Sequence, residues 1–387
     1  FTLDSGENTV RLTQDKLDKF HRAAWGVLLK PNSSIREIAG LIGLMVSYTP
    51  GMDYGGAHLK TLEREKNEAL KRCAGNFDAL TYLCTEAQRD IFWWLENLPV
   101  GLRKIRSALV QIVVVADASQ EGWRAHRGTQ STGGRFKPDK LPDHINVKEL
   151  WAILFGLQAL VPEAGEEIRL LTDNTTALAY VRHMGGTVSP RCNEVARQIW
   201  EWAERNQNWL TIAHIPGVEN VLADFRSRHF NDDIEWELSG KIFRKICDVL
   251  GTPEIDLFAS RINHKLDYFV SWHPEPGAWR HDAFSFPWTY IDFYIFPPFS
   301  VVGKVVSRAL SMDTEGVIVV PDWPGQPWYS RLMNSSGRKL RFRKAKGNLI
   351  QHGSPNNPQQ LNQCPLVACR LLVKSSCDRA LTNQQWT

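Results

Sequence analysis

At Leu109 the pattern of the chain changes from helical to extended. Upstream, apolar residues recur every three or four positions; from Leu109 they run almost without a break through LVQIVVVA and stop at Asp117. A short, continuously apolar run of this kind reads as a strand buried inside a sheet, and this one ends in a carboxylate. Ile168 to Thr172 repeats the arrangement and runs into Asp173. Buried strands that end in aspartate place both side chains at one edge of the sheet. A helix opened by Asn146 carries Glu149 one turn in, and a helix at Val218 to Arg226, opened by the turn at Pro216 and Gly217, carries Asp224.

Taken singly, each of these acids reads as a helix cap or a surface charge. Their combination is more specific. Like charges about 4 Å apart at an effective dielectric of about 20 repel by roughly 4 kcal/mol per pair, so a converging set is costly unless cations fill it. Hard oxygen donors suit Mg2+ or Mn2+ rather than zinc. The expectation is a two-metal site on Asp117, Glu149, Asp173 and Asp224.

The 387 residues exceed what one core usually holds, and 43% apolar with 23% charged residues is ordinary for a globular protein. A formal net charge of +4 and a pI near 8.6 permit nucleic-acid binding without demanding it, so any binding face must be local. Seven cysteines with no CxxC pair point to reduced thiols in an intracellular compartment, nucleus or cytoplasm unresolved, rather than to a disulfide framework. The spacing of Cys364, Cys369 and Cys377 fits no common zinc module. No apolar run approaches the roughly 20 residues that span a bilayer, and no signal peptide is expected. Phe1 in the first position reads as a piece of a longer polypeptide.

Four segments are expected. Residues 1–104 read as one extended entry, Phe1 to Arg11, then helices at Asp15 to Leu29, after the cap Ser34, at His58 to Arg72 and at Thr85 to Asn97. Residues 105–231 read strand, strand, helix, strand, helix, helix, strand, helix, a mixed α/β domain, with a loop rich in Gly, Ser and Thr after the second strand. Residues 232–334 open with a helix through Ile242 and Leu250, after which short strands at Glu254 to Phe258, Phe293 to Phe296 and Val317 to Val320 alternate with a helix from Ser300 to Leu310, the pattern of small parallel-sheet units. Residues 335–387, rich in Asn, Gln, Ser, Pro and basic residues, read as a loosely structured basic tail.

The motifs VVVADAS, INVKEL, LLTDNTTAL and HIPGVENVLADFRSR together resemble the ribonuclease H domain of retroelement reverse transcriptases. The resemblance implies that Asp117, Glu149, Asp173 and Asp224 hold two Mg2+ ions, with Mn2+ as a substitute, and that the chain hydrolyses the RNA strand of RNA:DNA hybrids. It also implies that His214 assists product departure and that Asn146 reads the minor groove of the hybrid, with Asn174 and Thr175 as further contacts. The residues alone leave a second reading for His214, a packed imidazole at a strand end. Two departures stand out: the first motif is DAS rather than DGS, and Arg124 replaces a small residue in the next strand.

The flanks extend the resemblance. FTLDS and SIREIAGLIGLMVSYTPG are similar to the last palm strand and thumb helix of a reverse transcriptase, which implies that residues 1–104 are a thumb and connection holding primer and template. Lys60, Arg64, Lys66 and Lys71 suit phosphate contact, but interleaved Glu63, Glu65 and Glu68 favour an ion-paired helix face. No YxDD-type palm motif is present, so polymerisation would need upstream palm and fingers. IDLFASRIN, HDAFSFPW, FYIFPPFS and GVIVVPDWPGQPWY, in that order after the other motifs, resemble the DIRS-like tyrosine-recombinase retrotransposons, whose polyproteins place an adenine-methyltransferase-like domain after ribonuclease H. The implied fold is α/β multidomain: a helical thumb and connection, a ribonuclease H-like domain, and a small methyltransferase-like α/β domain. Phe296 stands where an amine acceptor would precede Pro297 and Pro298, and no glycine follows Asp256, which argues against methyl transfer. Two other functions stay open: a nucleic-acid-binding fragment that cuts little, and an adenine methyltransferase.

Overall fold

The computed structural model describes residues 1–106, 112–216, 236–345, 347–351 and 364–372. Contacts group the chain into two units, the first being Phe1–Gly128, Pro142–Leu157 and Pro162–Asp224, the second Thr129–Leu141, Gln158–Val161 and Phe225–Thr387. Residues 1–104 therefore share a unit with most of the segment that carries the acids.

The first unit opens with β1, Thr2–Asp4, and β2, Thr9–Arg11, paired antiparallel with Thr2 opposite Arg11. The alternation predicts one strand over Phe1 to Arg11, but the Asp4 carboxylate accepts from the amides of Gly6 and Glu7 and folds the entry into a hairpin. Helix α1, Gln14–Leu28, follows Thr13. Ser33–Ser34, β3, leads into α2, Ile35–Tyr48, where the Ser34 hydroxyl accepts from the Glu37 amide and the Glu37 carboxylate accepts from the Ser34 amide. Both ends of that exchange satisfy orphan donors of the first turn. Helix α3 is Lys60–Arg72, β4 is Leu80–Thr81, α4 is Thr85–Asn97, and β5, Arg103–Lys104, pairs with β2. The four helices close on Phe20, Ile38, Met45, Leu62, Ile91 and Trp94. Lys60 pairs with Glu63 at 2.9 Å and Arg64 with Glu68 at 4.0 Å, as an ion-paired face would.

The sheet of this unit is built from β6, Ile112–Ala118, and β7, Gly122–Arg127. The chain continues through β8, Gln130–Arg135, grouped with the second unit, and α5, Ile145–Leu160. Then come β9, Glu167–Thr172, α6, Thr175–Arg182, α7, Pro190–Arg205, and β10, Trp209–His214. Within the unit the strand order is β10, β9, β6, β7, parallel except for the β6 to β7 hairpin. Every residue of α5 from Val147 to Leu157 is buried, as expected of a helix apolar on nearly all sides. A Cβ on Gly156 would lie 2.5 Å from the Ala125 Cβ, so this glycine sets how closely α5 approaches β7.

The second unit contains β11, Trp236–Leu238, β12, Ile255–Asp256, β13, Tyr268–Ser271, β14, Arg280–His281, β15, Asp292–Ile295, and β16, Glu315–Pro321. It ends with β17, Lys339–Phe342, β18, Leu349–Gln351, and β19, Leu366–Leu371. Seven of these form one sheet in the order β14, β13, β12, β15, β16, β19, β17, with β19 antiparallel to both neighbours. The helices Gly240–Leu250 and Val302–Ser311 fall close to the expected spans.

Two expectations fail here. The Gly-, Ser- and Thr-rich stretch read as a loop forms β8, and the polar tail contributes β17, β18 and β19, with Cys364 and Cys369 buried in the core. In both places long-range pairing overrides composition. The helix expected at Val218 to Arg226, Cys377, and residues 352–363 and 373–387 of the tail lie outside the described residues.

Candidate metal centre

Asp117, Glu149 and Asp173 converge: one ligand oxygen from each lies within 4.8 Å of the other two. Asp117 is the sixth residue of β6, Asp173 follows the last residue of the parallel neighbour β9, and Glu149 reaches the sheet from the second turn of α5. Asp117 and Glu149 are buried and Asp173 is half-buried. The parallel register, Val115 beside Leu171, brings the two strand ends level, so the aspartates meet because the strands do.

Burial raises the Glu149 pKa to about 9, and the charges of Asp117 and Asp173 push it the same way. Its Oε2 is buried without a hydrogen-bond partner. A buried acceptor set of oxygens alone, repelling itself, is matched by a hard divalent cation and by little else. Asp224 lies outside the described residues. His214 ends β10, exposed, in register with Thr172, and is not part of the converging group.

The expected substrate residues sit beside the acids. Asn146 is the second residue of α5, within the helix rather than before it. Asn174 caps α6: its Oδ1 accepts from the Ala177 amide at 2.9 Å, while its Nδ2 donates to Asn146 Oδ1 at 3.0 Å. The two amides thus fix one another's orientation. Thr175 is the exposed first residue of α6.

Three supporting residues escaped the sequence reading. Lys148, next to Glu149, is 1% exposed, and its ammonium donates to the Gln120 carbonyl at 2.7 Å, tying α5 to the turn that follows Asp117. Burial lowers its pKa, with Asp143 opposing. Arg191 clamps Asp143 with two bonds of 3.0 Å and fixes the approach to α5. Arg124, noted only as a departure, stands in register opposite Asp117. The signal for Lys148 was the charge inside an otherwise apolar helix.

A second charged cluster joins α4 to α7. Asp90, fully buried, lies 2.9 Å from Arg197 and 3.7 Å from His58, whose ring stacks on Trp93 at 4.0 Å. Glu204 accepts from Trp93 Nε1 at 2.8 Å and lies 3.1 Å from His58 Nε2. Burial disfavours the charged imidazole, but Asp90 and Glu204 outweigh it and raise the His58 pKa. Trp94, the next residue after Trp93, is fully buried.

In the second unit Asp256 ends β12, fully buried, its carboxylate accepting from the amides of Lys265 and Phe258. Burial pushes its pKa to about 7 against those bonds. Beyond it Phe258 packs on Phe284 and Trp288, with ring centroids 5.5 and 5.9 Å away. The turn after Asp256, residues 257–261, contains no glycine to let a ligand approach its backbone closely.

No family model matches the sequence, and no curated protein matches it. Among solved structures, the chain is similar to RNase H1 from the halophilic archaeon Halobacterium salinarum NRC-1, at 20% identity and a TM-score of 0.25, over 30% of this chain and 92% of that one. It is similar to the foamy viral protease-reverse transcriptase in complex with RNA/DNA hybrid, at 15% identity and 0.23, over 53% of this chain and 27% of that one. A third is the foamy viral protease-reverse transcriptase in complex with dsDNA, at 14% and 0.21, over 53% and 42%. The chain thus spans less than half of either foamy viral protein. Among the described residues no helix is long and apolar enough to cross a membrane.

Proposed function

We propose that the first unit hydrolyses the RNA strand of RNA:DNA hybrids, as the ribonuclease H part of a DIRS-like retrotransposon reverse transcriptase. The observation that carries this reading is the convergence of three carboxylates from distant positions, with ligand atoms within 4.8 Å. Asp117, Glu149 and Asp173, joined by Asp224, would hold Mg2+ or Mn2+. When bound, such ions polarise a phosphodiester and lower the pKa of a bound water.

The chain's own residues do the rest. The Asn146 and Asn174 pair presents amide groups beside the acids, where 2′-hydroxyls on one strand distinguish RNA from DNA, and Thr175 adds a hydroxyl. Lys148 holds the turn after Asp117 and so keeps two ligands in fixed relation. His214, exposed at the end of β10, would assist departure of the product. The α1 to α4 region would hold primer and template for palm and fingers upstream in the same polyprotein.

The test is substrate choice: a hybrid labelled on both strands, single-stranded RNA, and duplex RNA, each with Mg2+ and with chelator. Cutting confined to the RNA of the hybrid, and only with Mg2+, is expected. Hybrid binding without cutting would replace this reading with that of a nucleic-acid-binding scaffold.

A further inference from the structure

The edge of the second unit's sheet carries aromatic rings that the nuclease reading does not use. Tyr268 is 64% exposed at the start of β13, Trp272 is 64% exposed just beyond its end, and Trp279 is 44% exposed just before the edge strand β14. Tryptophan is seldom left in water on this scale, and exposed large apolar groups gathered in one place mark contact surfaces. The parallel register sets Val270 beside Arg280 and Ser271 beside His281. Continued one residue beyond each strand, at about 3.3 Å per residue and 4.8 Å between strands, that ladder sets the backbones of Trp272 and Trp279 roughly 11 Å apart.

The polar company of these rings is cationic at its centre. The Arg280 guanidinium lies 4.5 Å from the Trp279 ring centroid and 5.1 Å from that of Phe286, and the neighbouring His281 and His273 are exposed. Three acids lie in the same stretch: Glu275 accepts from the Arg261 amide, Asp282 from the Phe284 amide, and exposed Asp267 adjoins Tyr268. Flat faces along an edge, with a guanidinium against one of them, suit stacked bases and a neighbouring phosphate.

We propose that this edge is a stacking platform for single-stranded nucleic acid, a binding site separate from the carboxylate centre. Its readout involves no cleavage, so it stands or falls apart from the nuclease reading. The experiment is fluorescence anisotropy of a labelled 12-mer of oligo(dT) with the full chain, in chelator, across a salt series. Trp272→Ala and Trp279→Ala should each weaken binding about 5- to 150-fold, while Trp272→Phe, which keeps a flat face, restores most of it. Arg280→Ala should flatten the slope of log K against log salt by about 0.7, the share of one phosphate. Variants that bind within twofold of the parent, or a parent that does not bind, overturn the proposal. So does binding of a decaproline peptide in place of oligo(dT), which would make the edge a peptide groove.

Discussion

Replacing Glu149 by glutamine should stabilise the metal-free protein at neutral pH. The three ligand oxygens lie within 4.8 Å of one another, so each ionised pair repels by about 3 kcal/mol at an effective dielectric of about 20. Burial, with this repulsion added, lifts the Glu149 pKa to about 9 in the fold against 4.5 unperturbed. Between those values the folded state binds a proton that the unfolded state has released, so stability falls as pH rises, by about 1.4 kcal/mol per unit. At pH 7 the loss is about 3 kcal/mol, and below about pH 4.5 it vanishes. Glu149→Gln removes this titration. Thermal unfolding in chelator should place the variant roughly 6–12 °C above the parent at pH 7 and level with it at pH 4.5. Mg2+ at about a thousand times Kd should reverse the order, because only the parent gains binding energy, about 4.1 kcal/mol. A variant no more stable than the parent at pH 7 in chelator, or an equal gain from Mg2+ in both, would refute the electrostatic argument.

Other outcomes follow from the packing. Asp90→Ala leaves Arg197 and His58 without their buried partner and should cost about 3–5 kcal/mol in urea unfolding. Because the His58 pKa is raised, its contribution is full below about pH 6.5 and is lost as pH climbs through the folded value; a pH series of melting temperatures should show that decline, and His58→Asn should abolish it. Ser34→Ala breaks the capping box and should cost about 1 kcal/mol by the same unfolding assay.

The local chemistry of the centre was legible because it is written in short runs. LVQIVVVAD and LLTD announce buried strands that end in acids, and INVKEL opens an apolar helix, so Asp117, Glu149 and Asp173 could be placed on their elements before any pairing was known. What the runs do not contain is register. The level ends of β6 and β9 come from the Val115 to Leu171 alignment, and register likewise sets His214 beside Thr172 at the same sheet edge, outside the converging group. The elements misread share one cause. β8, QSTGGR, and β19, LVACRL, were both read by the polar composition around them; β8 has no pattern of its own, whereas β19 is a short apolar run that β16 and β17 pair with on both sides. The cluster of His58, Asp90, Arg197 and Glu204 was equally invisible, since its members are far apart in the chain and each reads as an ordinary helix-surface charge.

The measurement that tests the centre most directly is cleavage of an end-labelled RNA:DNA hybrid by the parent and by Asp117→Asn, with Mg2+ present or chelated. The parent with Mg2+ should cut the RNA strand, chelator should silence it, and the variant's rate should be at least about 100-fold lower, since loss of a ligand should exceed the 10- to 100-fold typical of its supporting shell. Cutting that persists in Asp117→Asn, or in chelator, would contradict it.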